Sequence, residues 1–182
     1  DCIPDGSVEL QANDKITVTA PRSELVKMLK ALKISNQKIR DVLIIGGSKI
    51  AVYLADELIK SGVNVKIIEQ KLDTCRALSE RLPGAVILNG DGTLQDLLSP
   101  ERIEDTDAVV SQTNIDEENL IITMYADVCK VPKTITKINR TEYIKLFKDK
   151  DIGSVVCPIK LASYEIFRYV RAMGRTTRGS VN

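Results

Sequence analysis

Histidine is absent from these 182 residues. The commonest general base near neutral pH is thereby removed, and no catalytic residue is expected. Four cysteines, Cys2, Cys75, Cys129 and Cys157, form no C-x-x-C pair. A zinc site would have to gather cysteines and carboxylates from scattered positions. The thiols read instead as buried or free groups of a reducing cytosol, and no metal site is expected. No apolar run approaches the ~18 residues of a membrane span, and none reads as a signal peptide. Charge of one sign is also lacking. With 26 basic and 25 acidic residues the net charge is +1, so a global attraction to nucleic acid or membrane is not expected. What is present, 43% hydrophobic and 28% charged residues, suits a globular chain with a real core.

The stretch Asp41 to Glu69 dominates the chain. It reads as an apolar strand (42–46), a glycine turn, an amphipathic helix (48–60) and a second strand (63–69) ending in an acid. This is the layout of a dinucleotide-binding β-α-β unit. Strand and helix then continue to alternate: helix 72–82, strand 85–88, short helix 94–98, strand 108–111, helix 116–129, strand 133–138, helix 142–147, strand 154–157 and helix 158–173. Such alternation predicts an α/β fold, a Rossmann-like doubly wound parallel sheet. Helical periodicity assigns Ile50, Leu54, Leu58 and Ile59 to the buried side of the first of these helices, and Leu120, Ile121, Met124 and Val128 to that of helix 116–129. The last helix carries Ile159, Ala162, Ile166, Phe167 and Val170 on a face with little left in the chain to cover it.

Residues 1–33 differ in kind. Two short strands, 8–10 and 15–20, precede a helix with Ser23 as cap and Leu25, Met28, Leu29 and Leu32 on one face. A β-β-α piece of this size cannot bury a stable core alone, so it reads as a domain remnant. Residues 34–40 are the expected linker, 41–157 the nucleotide-binding domain, and 158–182 a docking helix with its tail. The chain starts at Asp1 without methionine and stops in the polar run GRTTRGSVN, so it reads as a piece of a longer protein.

Three signals carry the candidate site. In the turn, Gly46 and Ala51 match the first and third positions of G-x-G-x-x-G/A, with Gly47, Ser48, Lys49 and Ile50 between them. Ser48 replaces the middle glycine, where its Cβ either crowds a pyrophosphate or its hydroxyl donates to one. Glu69, roughly 20 residues past the turn, stands where an acid accepts hydrogen bonds from adenosine ribose hydroxyls. A carboxylate there repels a 2′-phosphate, favouring NAD(H) or a plain adenine nucleotide over NADP. At the carboxyl end of the third strand, Asp91 can bond the adenosine moiety and Thr93 can cap the next helix. Each feature also has a bland explanation: a plain βα turn, a solvated acid, an Asp-Gly loop.

Taken in order, GDGT at 90–93, QTNIDEENLI at 112–121, ITKINRTEY at 135–143 and SVVCP at 154–158 resemble the RCK or KTN (TrkA N-terminal) domain family, the nucleotide-binding regulatory domains of potassium transport and channel systems. The resemblance covers about Asp41 to Met173. It implies a non-enzymatic cytoplasmic regulator, peripheral at the inner face of the membrane, that modulates a Trk-type potassium uptake system through a TrkH-like membrane subunit. It further implies a homo-oligomer built through the last helix, and NAD(H), or alternatively ATP/ADP, as ligand. Gly46, Gly47, Ser48, Lys49 and Ile50 would surround the phosphates and Glu69 would hold the ribose. Asp91 and Thr93 would flank adenosine, Thr113 and Asn114 would line the cleft, and Lys137 would contact phosphate. The opening segment resembles the tail of the family's smaller C-terminal domain. Two other readings stay open: a copy that serves assembly only, and a fragment of an NAD-dependent oxidoreductase.

Overall fold

The computed structural model describes residues 9, 18, 20–32, 38–92, 103, 105–143 and 153–176. The strands expected over 8–10 and 15–20, the helix expected at 94–98 and most of that expected over 142–147 lie outside these residues. The chain divides into two compact units, residues 1–38 and 39–182. In the first, helix α1 spans Arg22–Ala31. Pro21 precedes it, and Ser23, expected as the cap, falls within its first turn without capping it. Leu25, Met28 and Leu29 are half-buried, whereas Leu32 is exposed.

The second unit is built on a parallel sheet of β1 (Asp41–Ile45), β2 (Asn64–Glu69), β3 (Ala85–Asn89), β4 (Ala108–Ser111), β5 (Lys133–Lys137) and β6 (Ser154–Val156). Their order is β3-β2-β1-β4-β5-β6. Every neighbouring pair is parallel, as the alternation of strand and helix requires. The helices are α2 (Lys49–Lys60), α3 (Leu72–Arg81), α4 (Asp116–Val128) and α5 (Pro158–Thr176). α5 runs one turn further than periodicity indicates.

Strand β1 shows why an unbroken apolar run belongs at the centre. Its side chains alternate between faces, and both faces are covered. Val42 and Ile44 join Ala51, Ala55, Val65, Ile67, Leu78 and Leu82 in one core layer. Leu43 and Ile45 join Ile68, Val109, Ile122 and Ala126 in the other. Alanines at 51 and 55, both fully buried, let α2 lie close on the sheet.

Helical periodicity misassigns two faces. Ile50, expected inside, is 46% exposed; it sits in the first turn of α2, beyond the edge of the sheet. In α4 the expected core residues Ile121, Met124 and Val128 are 59%, 53% and 77% exposed. The helix buries Asp116, Asn119, Ile122, Thr123 and Ala126 instead. A hydroxyl chain explains the choice. Ser111 Oγ lies 2.9 Å from Thr123 Oγ1, which lies 2.5 Å from Thr136 Oγ1 and donates to the Asn119 carbonyl at 2.7 Å. Small, mutually satisfied polar groups therefore pack α4 onto β4 and β5, at no unsatisfied-donor cost. α5 is exposed along the length for which burial is described, residues 159–173. Among the described residues no helix is long and apolar enough to cross a membrane.

Candidate functional site

Strand order reverses between β1 and β4. In open α/β sheets the crevice outside the carboxyl ends of such a pair is where ligands bind. Here the crevice holds a cavity of about 330 Å³. Its rim comes from the turn after β1, the ends of β2 and β3, and the loop after β4.

Gly46 makes the turn possible. Its φ is +103° and a Cβ there would lie 2.8 Å from the Gln112 carbonyl oxygen, so both conformation and space demand glycine. At Gly47 a Cβ would meet Leu78 Cδ1 at 2.7 Å and Glu69 Oε2 at 2.9 Å, the far ends of two side chains that would have to move aside. Ser48 has ordinary extended backbone (φ −69°, ψ 169°) and is the N-cap of α2. Its Oγ accepts from the Ala51 N–H at 3.3 Å and donates to Gln112 Oε1 at 3.4 Å. The hydroxyl thus has defined partners on the cavity wall.

Glu69 faces the turn. One carboxylate oxygen accepts from the Gly47 N–H at 2.7 Å and the other from the Lys71 N–H at 2.8 Å. Asp91 lies across the opening, where its Oδ2 accepts from Gln70 Nε2 at 3.4 Å. Thr93 lies outside the described residues. Thr113 and Asn114 line the cavity, but Thr113 is also committed to its own loop. Its N–H donates to Asn119 Oδ1 at 2.7 Å and its hydroxyl to the Ile115 carbonyl at 3.0 Å.

The structure thus gathers Gly46, Gly47, Ser48, Glu69, Asp91, Thr113 and Asn114 around one cavity. Lys49 and Ile50 open helix α2 without lining it. Lys137 is buried behind the wall, its ammonium donating to the Gln112 carbonyl at 3.4 Å. Burial pushes its pKa down and the nearby Asp116 carboxylate partly restores it.

Four polar wall residues were not singled out by the sequence reading: Gln70, Lys71, Thr74 and Gln112. Gln112 is 2% exposed, and its Nε2 is buried without any hydrogen-bond partner. An enclosed, unpaired amide donor costs about 1–3 kcal/mol. The signal for it was a pair of polar residues, Ser111 and Gln112, directly after the apolar run Ala108 to Val110. Asn119 stands in the QTNIDEENLI motif, but its role as a tie was not read there. Its Nδ2 donates to the Thr113 and Lys137 carbonyls, tying the loop after β4 to the end of β5.

Two helices begin at this crevice with opposite electrostatics. α4 fills its first turn with Asp116, Glu117 and Glu118. Buried Asp116 accepts from the Asn139 and Arg140 N–H groups at 2.8–3.0 Å. Glu117 accepts from the Tyr143 hydroxyl at 2.6 Å, which holds its carboxyl below the usual range. α2 has no acid in its first turn. Its partial positive charge and free N–H groups remain for an incoming anion. Gly47, which a Cβ would block, and the orphaned Gln112 amide are what a phosphate-bearing cofactor would need at this point. Among the described residues no group of acids and thiols could hold a metal ion.

Parallel strand order, the glycine turn after the central strand and the cavity at the switch point define a Rossmann-type domain. The chain belongs to the TrkA-N domain family, whose model matches residues 42–158. It is 34% identical over 169 residues to the Trk system potassium uptake protein TrkA of Halomonas elongata, covering 93% of this chain and 37% of that protein. The chain therefore spans somewhat over a third of the length of that relative. Among solved structures it resembles the TrkA-N domain of the Escherichia coli inner membrane protein ybaL, with a TM-score of 0.63 at 14% identity over 73% of this chain and 98% of that one. It also resembles the GsuK channel bound to NAD, with a TM-score of 0.56 at 17% identity over 74% of this chain and 26% of that one. At such identities the likeness is one of fold.

Proposed function

We propose that this chain is the nucleotide-sensing part of a regulatory subunit for a Trk-type potassium uptake system. It binds an adenine nucleotide in the crevice and performs no chemistry on it. The observation that carries this reading is the cavity itself, where the glycine turn, the Glu69 carboxylate and an acid-free helix terminus meet in a chain of the TrkA-N family. Relatives named Trk system potassium uptake proteins support the transport context. NAD(H) is the expected ligand, with ATP or ADP as the alternative. Glu69, Asp91 and Glu118 line the wall against the single ammonium of Lys71, and that balance disfavours the more highly charged triphosphate.

In this account Gly46, Gly47, Ser48 and the first N–H groups of α2, from Lys49 and Ile50, receive the phosphates. Glu69 takes the ribose, Asp91 and Thr93 the adenosine side, and Thr113 and Asn114 the far wall, with Lys137 bracing Gln112 from behind. Binding would bias a TrkH-like membrane subunit by favouring one of two arrangements between subunits. The exposed face of α5, with Ile159, Ile166, Phe167, Val170 and Met173, would join copies of the chain into a homo-oligomer. Residues 1–33 would be the tail of a preceding small regulatory domain. The subunit would be cytoplasmic and peripheral at the inner face of the membrane, with no nucleic acid partner.

Calorimetric titration of NADH, NAD, ATP and ADP into the 182-residue chain tests the central step. Saturable heat, tightest for NADH or NAD, is expected. No heat and no thermal shift at millimolar nucleotide would leave a copy that serves assembly only.

A further inference from the structure

The replacement of the middle glycine by Ser48 and the orphaned amide of Gln112 belong to one device. The Ser48 hydroxyl lies 3.4 Å from Gln112 Oε1 and caps Ala51 at 3.3 Å. Gln112 follows directly after β4, its N–H donating to the Ile45 carbonyl at 2.9 Å. Its carbonyl is held by Lys137 Nζ at 3.4 Å. Backbone and ammonium thus fix the main chain of the residue from two sides, and the Ser48 hydroxyl holds one end of its carboxamide. The side chain is 2% exposed, yet Nε2 has no partner. Buried amide donors are almost always satisfied, so an unsatisfied one beside a cavity and a helix N-terminus points to a missing acceptor. The acceptor suited to this place is an anion, because α2 offers free N–H groups and no acid in its first turn.

We propose that Ser48 and Gln112 form a phosphate-positioning pair, in which the hydroxyl orients the carboxamide so that its NH₂ donates to a phosphate oxygen of the bound nucleotide. This rests on the reading of the cavity as a nucleotide site. The terminal torsion of glutamine is soft and roughly two-fold, so the carboxamide reorients at little cost. Ser48 is then part of the site and not an obstruction in it. The loss of the second glycine is offset by a side-chain donor from the neighbouring strand.

Gln112→Met keeps length and volume while removing donor and acceptor together. In the 182-residue chain it should leave the ligand-free melting temperature unchanged or raised, because a buried unpaired donor has gone. NADH affinity should fall about tenfold, the worth of one charge-assisted hydrogen bond, with adenosine affinity unchanged within about twofold. Ser48→Ala, which keeps the Cβ and a foldable turn, should weaken NADH in the same direction. Ser48→Gly should also weaken it.

A wild-type chain that binds NADH, with Gln112→Met binding it equally well, would overturn the pair and leave the nucleotide site standing. Tighter NADH binding by Ser48→Gly would overturn it too, by making the Cβ an obstacle. Equal losses for NADH and adenosine would assign Gln112 a purely structural role. A wild-type chain that binds no nucleotide would remove the site reading and the pair with it.

Discussion

Helices α2 and α4 start side by side at the same crevice, after the two central strands, yet they treat their N-termini in opposite ways. α4 satisfies its own dipole with three acids and spends Asp116 on the backbone of the loop after β5. α2 caps one N–H with Ser48, carries no acid in its first turn, and leaves its remaining donors beside a cavity. Their buried faces differ as well. α2 buries only alanines fully, whereas α4 buries threonine, asparagine and aspartate beside Ile122 and Ala126. One end is complete in itself, and the other is the end at which the proposed ligand would supply a partner. A β-α repeat can thus hold a structural joint and a binding site within one crevice, separated by the placement of a few carboxylates.

Four substitutions would break or sharpen this contrast. The largest effect is expected from Gly46→Ala, which adds a Cβ 2.8 Å from the Gln112 carbonyl at a φ of +103°. Urea unfolding should show a loss of at least about 2 kcal/mol from strain and overlap together. Next comes Asp116→Ala, which orphans the N–H groups of Asn139 and Arg140. It should cost about 2–3 kcal/mol by the same measurement, with nucleotide affinity changed much less than stability. Ile50→Asp gives α2 the kind of first turn that α4 has. Helix stability should rise by about 0.3–1 kcal/mol while NADH affinity falls several-fold, so that melting temperature and affinity move in opposite directions. The smallest effect concerns the other ends of the helices. α2 is followed by Gly62 at φ +78°, but α4 by Lys130 at φ +57°. Lys130→Gly should therefore stabilise by about 0.5–1 kcal/mol in thermal unfolding, without any effect on ligand.

The pattern of the sheet was legible because each strand obeys a simple rule. Val42 to Ile45 is apolar on both faces and sits at the centre, and the alternation of elements leaves little choice of topology. Strand order and the site at its reversal follow from that. Glycines 46 and 47 and Glu69 were legible because chemistry fixes their types at their spacing. The face of α4 was not legible. Periodicity counts apolar side chains, but here a chain of buried hydroxyls decided which side meets the sheet, leaving Ile121 and Met124 in solvent. Gln112 was missed for a related reason. Its Oε1 accepts from Ser48, 64 residues away, while its Nε2 is buried without a partner, and no local pattern carries either. Lys137 was expected to contact phosphate; in the structure its ammonium donates to the Gln112 carbonyl at the cavity wall, a bond that spacing does not reveal.

The contrast between the two helices predicts that the ligand's phosphates meet α2 and not α4. An amide NMR titration of the 182-residue chain with NADH tests this residue by residue. Saturable shifts are predicted at Gly47, Ser48, Lys49, Ile50 and the Gln112 side-chain amide, with Asp116, Glu117 and Asn139 nearly unmoved. Shifts centred on the first turn of α4, or none at millimolar NADH, would contradict it.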